Sequence, residues 1–390
     1  MRVSSYITKL WREVFGQESL EPEHAQTQIS PDWIRARVHA ALAEETFQAK
    51  GDEMEQQPSW SSTLLSPPSP VNVEPMVGLP AGGGMNVENR FKEQRSEDCA
   101  PHLLVGWRSD PGLERRHKPN EDSLFAARGT RLERAQSQDF GLFIVADGMG
   151  GHAFGQEAGH LAIQTMIEWV LPRMAKGYAP DKIACREVLI LGVQAANREL
   201  YRRNKEQGTQ MGTTVNAVLI LEGTAFIANV GDSRTYLYRE ASGLRKVTRD
   251  HSLVAYLVES GIIQPDDIYR HPQRNRIYRS LGSEPFIPVD AFIEPLQPGD
   301  TLILCSDGLW EMVRDLRMQE IVRQAPVPSQ ASHMLVDAAL QEGGTDNVSV
   351  IVVRVTEPER CGGESGLQLL VKPETVEIPH PFPRELKRSL

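Results

Sequence analysis

Two short apolar runs that each end on Asp-Gly limit what this chain can fold into. The first is Phe143-Ile144-Val145-Ala146, followed by Asp147-Gly148-Met149-Gly150-Gly151-His152; the second is Leu302-Ile303-Leu304-Cys305-Ser306, followed by Asp307-Gly308-Leu309-Trp310. A brief apolar run closed by a glycine turn reads as a buried strand. The carboxylate then stands where strand becomes loop, its oxygens able to project into a cleft, and the glycine lets the backbone carbonyl approach a cation. Asn120-Glu121-Asp122 and Gly343-Gly344-Thr345-Asp346-Asn347 are two further acidic turns, each just ahead of an expected strand. Any one of these motifs is equally well explained as a turn residue or a helix cap. Four in one domain are not, because converging carboxylates repel one another strongly unless a divalent cation neutralises them. Hard oxygen ligands select Mg²⁺ or Mn²⁺ over zinc.

Composition narrows the function classes. The chain has 390 residues, 40% of them hydrophobic, enough for one large domain with appendages or for two domains. A formal net charge of -10 argues against a nucleic-acid partner and suits a cation site. The four cysteines, Cys99, Cys185, Cys305 and Cys361, are scattered without CxxC spacing, so a reducing compartment is expected rather than a disulfide scaffold or a zinc knuckle. With no apolar leader at the N-terminus and no run approaching a membrane span, a cytoplasmic, monomeric protein without a transmembrane segment is the expectation.

Along the chain, residues 1–50 carry short helical patterns. Ile7, Leu10, Trp11, Val14 and Phe15 share one side of the first, and Ser30-Pro31-Asp32 opens a second. A loosely packed extension is expected there, in preference to a docking arm. Residues 51–101 turn to Pro, Ser, Gly and Glu and read as a flexible linker. The globular domain is expected over 102–356 and a disordered tail over 357–390. Inside the domain strands come in runs separated by paired helices. Strands are expected over 102–107, 123–127, 142–146, 214–221, 224–230, 235–239, 301–305 and 348–355. Helices are expected near 159–174, 183–205 and 331–341, with a polar, helix-prone stretch over 253–280. Glu222-Gly223 stands where a tight hairpin turn is wanted. The blocks imply an α+β layered domain with an antiparallel core.

The same residues carry a family resemblance. From about His102 to Val355 the chain resembles metal-dependent protein phosphatases of the PP2C type, bacterial serine/threonine phosphatases included. The resemblance rests on Asn120-Glu121-Asp122-Ser123, Val145 to His152, Met211-Gly212-Thr213-Thr214 and Asn229-Val230-Gly231-Asp232-Ser233-Arg234. It continues through Thr248-Arg249-Asp250-His251-Ser252, Arg279-Ser280-Leu281-Gly282, Ser306-Asp307-Gly308-Leu309 and Gly344-Thr345-Asp346-Asn347. It implies a four-layer α-β-β-α sandwich around a central antiparallel β-sandwich, with two cations, Mn²⁺ or Mg²⁺, at one end and a third in some bacterial relatives. Asp147 would bridge the two, Asp307 and Asp346 would complete the first site, and Glu121 with the Gly148 carbonyl would serve the second. Asp232 would belong to the third, Asp122 would hold water on the metals, and His152 would protonate the leaving seryl or threonyl oxygen. The family also carries an arginine before its Asn-Glu-Asp that grips the substrate phosphate. Three residues before Asn120 stands His117, but Arg115 follows Gly112-Leu113-Glu114 as the family's arginine follows its glycine. Arg115 or Arg116 is therefore expected to do this, in preference to His117. The implied activity is hydrolysis of phosphoserine and phosphothreonine on proteins, opposing a Ser/Thr kinase. A phosphatase dedicated to one regulator, or a catalytically dead phosphoprotein-binding scaffold, are the competing readings; the complete acid set disfavours the second.

Overall fold

The computed structural model describes residues 102–133, 136–150, 153–175, 182–357 and 366–373. The expected N-terminal helices and the linker lie outside these residues, as does His152. In chain order the elements are β1 (His102–Asp110), β2 (Asp122–Glu133), β3 (Gln136–Met149), α1 (Ala153–Ala175), α2 (Lys182–Gln207), β4 (Gly212–Thr213), β5 (Val215–Leu221), β6 (Thr224–Val230), β7 (Arg234–Arg239) and β8 (Gly243–Lys246). They continue with α3 (Leu253–Glu259), a 3-10 turn (Pro265–Tyr269), β9 (Asp290–Pro295), β10 (Thr301–Cys305), α4 (Asp307–Trp310), α5 (Asp315–Gln324), α6 (Pro328–Gln341), β11 (Val348–Thr356) and β12 (Gly366–Val371).

Two antiparallel sheets result. One runs β1-β11-β10-β7-β8, the other β12-β2-β3-β5-β6-β9 with β4 paired to β3. The strands read as near-continuous apolar runs because both faces of each sheet are covered. Along β5, Val215, Ala217, Leu219 and Leu221 pack with Ile163, Ile167, Val193 and Leu200 of α1 and α2, while Val218 and Ile220 turn the other way. Those two meet Leu237, Leu302, Leu304, Ile351 and Val353 of the opposite sheet. Strand β11 repeats the pattern, with Val348, Val350 and Val352 facing Leu309, Trp310, Ile321 and Leu335 of the helices on its outer side. Period-two alternation thus fills three cores and makes four layers, α-β-β-α. The expected fold class is the observed one.

The β5–β6 hairpin turns on Glu222 (φ 50°) and Gly223 (φ 66°), pairing Leu221 with Thr224. Two positive φ values match the right-handed twist of the flanking strands. Elsewhere the structure departs from the sequence reading. Only Leu253–Glu259 and a 3-10 turn form in the stretch read as helix-prone up to Ser280, since Pro265 and Pro272 interrupt it. The tail expected to be disordered supplies a strand: β12 lies along β2 with Leu367 buried, and Arg128 Nε donates to Gln368 Oε1 at 2.7 Å. The edge of β2 offers a row of backbone partners that a composition argument does not register. Among the described residues no helix is long and apolar enough to cross a membrane.

Candidate metal centre

Strand pairing brings the acidic turns to one end of the sandwich. Asp122 opens β2 and pairs with Asp147 near the end of β3, while Gly148 N–H donates to the Glu121 carbonyl at 3.2 Å. In the other sheet β10 pairs with β11, so Asp307 just beyond one strand and Asp346 just before the other come to the same end. Asp232 follows β6 in the turn to β7. Gly148 is required by packing: a Cβ there would fall 1.9 Å from the Gly155 carbonyl oxygen and 2.8 Å from that of Glu121. The Asp147 backbone is held by Thr214, whose N–H and hydroxyl bond the Asp147 carbonyl and N–H at 2.8 and 2.9 Å.

Burial raises the carboxylates gathered at this end, and charge repulsion adds to several of them. Asp147 is pushed well above the usual carboxylate range by burial, then by the charges of Asp122, Asp346 and Asp232. Asp307 is raised in the same way, by burial and then by Asp147, Asp346, Asp232 and Glu311. Burial lifts Asp122 to about 7 against the pull of the Ser306 hydroxyl, which donates to its Oδ2 at 2.7 Å. Burial lifts Asp232 to about 7 as well, with repulsion from Asp250 and Glu311 added. Asp346 is also raised by burial, although Arg115 draws it back.

Arg115 is the one expected arginine that reaches this cluster. Its Nη1 lies 2.7 Å from Asp346 Oδ1 and 3.6 Å from Glu121 Oε2. Arg116 and His117 are exposed, one residue further along the same turn and beyond. Among the described residues no three acids already stand as a closed metal cage. The donor set nevertheless fits a hard cation. It is all oxygen, its members repel one another, Asp122 Oδ1 is buried without a partner, and the Gly148 backbone is packed tightly against Glu121.

Sequence reasoning missed several residues around the cluster. Glu311 follows Asp307 by four positions, one helical turn, and that spacing was the signal for it. Its carboxyl is raised by burial and held by Arg274, Nε to Oε2 at 3.1 Å; Arg274 comes from an irregular loop and no periodicity marks it. Trp310 Nε1 donates to the Asp232 carbonyl at 3.0 Å, and Arg234 stacks 3.5 Å above the Trp310 ring. Asp250 clamps that guanidinium at 2.6 Å from inside the core. On the other flank of Asp232, Gly231 N–H donates to His251 Nδ1 at 3.0 Å. His251 Nε2 lies between Arg279 Nη1 at 2.9 Å and Asp290 Oδ2 at 3.3 Å.

Comparison with known proteins agrees with this architecture. The family model described as protein phosphatase 2C matches residues 112–342. The chain belongs to the protein phosphatase 2C family. A serine/threonine phosphatase, Stp, of Listeria monocytogenes is 36% identical over 252 residues, which are 63% of this chain and 94% of that one. The serine/threonine protein phosphatase PstP of Mycobacterium tuberculosis is 35% identical over 272 residues, 68% of this chain and 48% of the relative. Among solved structures, PstP/Ppp from M. tuberculosis superposes with a TM-score of 0.55 at 32% identity, covering 65% of this chain and 99% of that one. The PstP catalytic domain in complex with two manganese ions gives 0.54 at 31% identity, covering 66% and 100%.

Proposed function

We propose that the chain hydrolyses phosphoserine and phosphothreonine on proteins with the help of two divalent cations, Mn²⁺ or Mg²⁺, in opposition to a Ser/Thr kinase. The observation that carries this reading is the gathering of Asp122, Asp147, Asp232, Asp307 and Asp346 at one end of the sandwich, each held above its ordinary range by burial, with repulsion from other carboxylates added for the first four. The similar PstP domain with two manganese ions supports the number of cations. In this reading Glu121, Asp147, the Gly148 carbonyl, Asp307 and Asp346 would hold the two cations, and Asp232 would hold a third. When bound, the cations supply Lewis-acid polarisation of the phosphoryl group and a lowered pKa for water.

The remaining chemistry belongs to the chain. Asp122, with one oxygen fixed by Ser306 and the other unpartnered, orients water for attack on phosphorus. Arg115, which now pairs with Asp346 and Glu121, would offer its planar guanidinium to the phosphoryl oxygens. His152 returns a proton to the leaving oxygen. Neither cysteine among the described residues suits a covalent thiophosphate route, because burial pushes the Cys305 thiol far up and Cys185 is buried too.

The test is hydrolysis of an aryl phosphate and of a phosphothreonine peptide with Mn²⁺, with Mg²⁺ and with EDTA, beside Asp147→Asn. Turnover that needs the cation and is lost in the variant is the expected result. Turnover that survives EDTA, or none at all with Mn²⁺ bound, would overturn the reading.

A further inference from the structure

The lip of the acidic cluster carries an unusual run of cations. Arg115-Arg116-His117-Lys118 folds as a turn closed by Lys118 N–H donating to the Arg115 carbonyl at 2.8 Å. The turn is tied to the segment that bears Asp346: Leu113 and Glu114 N–H both donate to the Gly344 carbonyl, at 2.8 and 3.2 Å, and Asn347 Nδ2 donates to the Pro111 carbonyl at 2.9 Å. Arg115 points inward to Asp346, while Arg116, His117 and Lys118 are exposed at the tip. Lys118 lies close enough to Asp346 to draw its carboxyl down, as Arg115 and Arg274 also do. Against Glu114, the turn holds Arg115, Arg116 and Lys118, on a chain whose net charge is -10. Exposed cations on such a chain are usually a solvated face scattered among acids. Here they are consecutive, tied by hydrogen bonds to the acidic cluster, and share one turn with the residue that enters it.

We infer that this turn selects the substrate: it favours phosphoserine and phosphothreonine segments flanked by Asp or Glu over neutral ones. The inference rests on the phosphatase reading above. A phosphoresidue held at Arg115 places its neighbours one to three positions away within about 10 Å along an extended peptide, and Arg116 and Lys118 stand exposed one and three residues beyond Arg115 in the same turn. Such rim charges act mainly on encounter and affinity and are screened by salt.

The experiment uses the full chain with Mn²⁺ and two phosphothreonine peptides of equal length, one with Asp and Glu flanks, the other with Ser and Gln. The acidic peptide is expected to show about a five- to tenfold higher kcat/KM at low salt, carried by KM. The preference is expected to fall below about twofold in the Arg116→Gln/Lys118→Gln double variant and at about 0.5 M salt. It is expected to persist in the charge-conserving Arg116→Lys/Lys118→Arg variant. Equal kcat/KM for the two peptides, or a preference untouched by the neutral variant, overturns the inference. Failure to turn over either peptide overturns the phosphatase reading instead. Fluorescence anisotropy of the same labelled peptides on the Mn²⁺-loaded protein then decides the role of the turn: tighter acidic-peptide binding that the neutral variant abolishes supports it, and equal binding refutes it.

Discussion

Gly148 and Asp250 show how single side chains hold the acidic end in shape. At position 148 a methyl group would sit 1.9 Å from the Gly155 oxygen, so Gly148→Ala forces two backbone segments apart. The expected cost is about 2 kcal/mol, or a Tm lower by about 4–8 °C, by analogy with overpacked cores. A calorimetric scan with and without Mn²⁺ checks it, and the Mn²⁺-induced gain in Tm should shrink as well. Asp250 neutralises Arg234, which is buried and stacked on Trp310, whose indole in turn holds the Asp232 carbonyl. Asp250→Ala leaves that guanidinium charged and unpaired in the core, at about 3–5 kcal/mol, measurable by urea denaturation. The same change takes the partner from Lys246, 3.1 Å from that carboxylate, so a loss below about 1 kcal/mol would mean that Asp250 is not what compensates the buried Arg234.

At the scale of elements, β12 offers the sharpest check. Residues beyond 356 read as a tail from composition, yet Gly366–Val371 completes one edge of a sheet, and Leu367 is 6% exposed against the helix-side core. Ending the chain at residue 365 removes a buried leucine and the Arg128–Gln368 hydrogen bond, and uncovers the β2 edge. The expected loss is about 2–4 kcal/mol, from about 1.5–3 for the leucine and about 1 for the hydrogen bond. Thermal denaturation of the truncated chain would show it; an unchanged Tm would return the segment to the status of a tail. The elements legible in advance were those with an internal period. Helix α2 was expected over 183–205 and spans Lys182–Gln207, because its apolar spacing is long enough to define a helix. The helices α4 and α5, each 10 residues or shorter, were not foreseen: α4 is a single turn, and in α5 Met318, Ile321 and Val322 keep helical spacing over too short a run to define a helix.

For the molecule as a whole, the acidic end sets the direction of its pH response. Asp122 and Asp232 titrate near 7 in the folded chain, above the unfolded carboxylate value, and Asp147, Asp307 and Asp346 are raised too. A raised folded pKa means that the folded state binds protons more readily than the unfolded one. The corresponding stability is present below about 4 and is lost as pH rises through about 7. In EDTA, the contribution of this cluster should lower Tm between pH 5 and 8 relative to an Asp122→Asn/Asp232→Asn variant. Added Mn²⁺ should raise the Tm of the parent more at pH 8 than at pH 5, and an equal gain at both would contradict the shared-cation reading. The sequence by itself determined the α+β layered class with an antiparallel core and marked out the acidic turns, because short apolar runs ending on Asp-Gly are local patterns that need no partner to be recognised. The four-layer sandwich, the roles of the acids and the choice of Arg115 or Arg116 as the phosphate arginine were implied by the resemblance to PP2C phosphatases. Only the tertiary structure decided which of the two meets Asp346, brought Glu311, Arg274 and Trp310 to the cluster, and recruited Gly366–Val371 into a sheet. Each of those outcomes depends on where distant segments come to rest, and proximity across the fold leaves no mark in the order of residues along the chain.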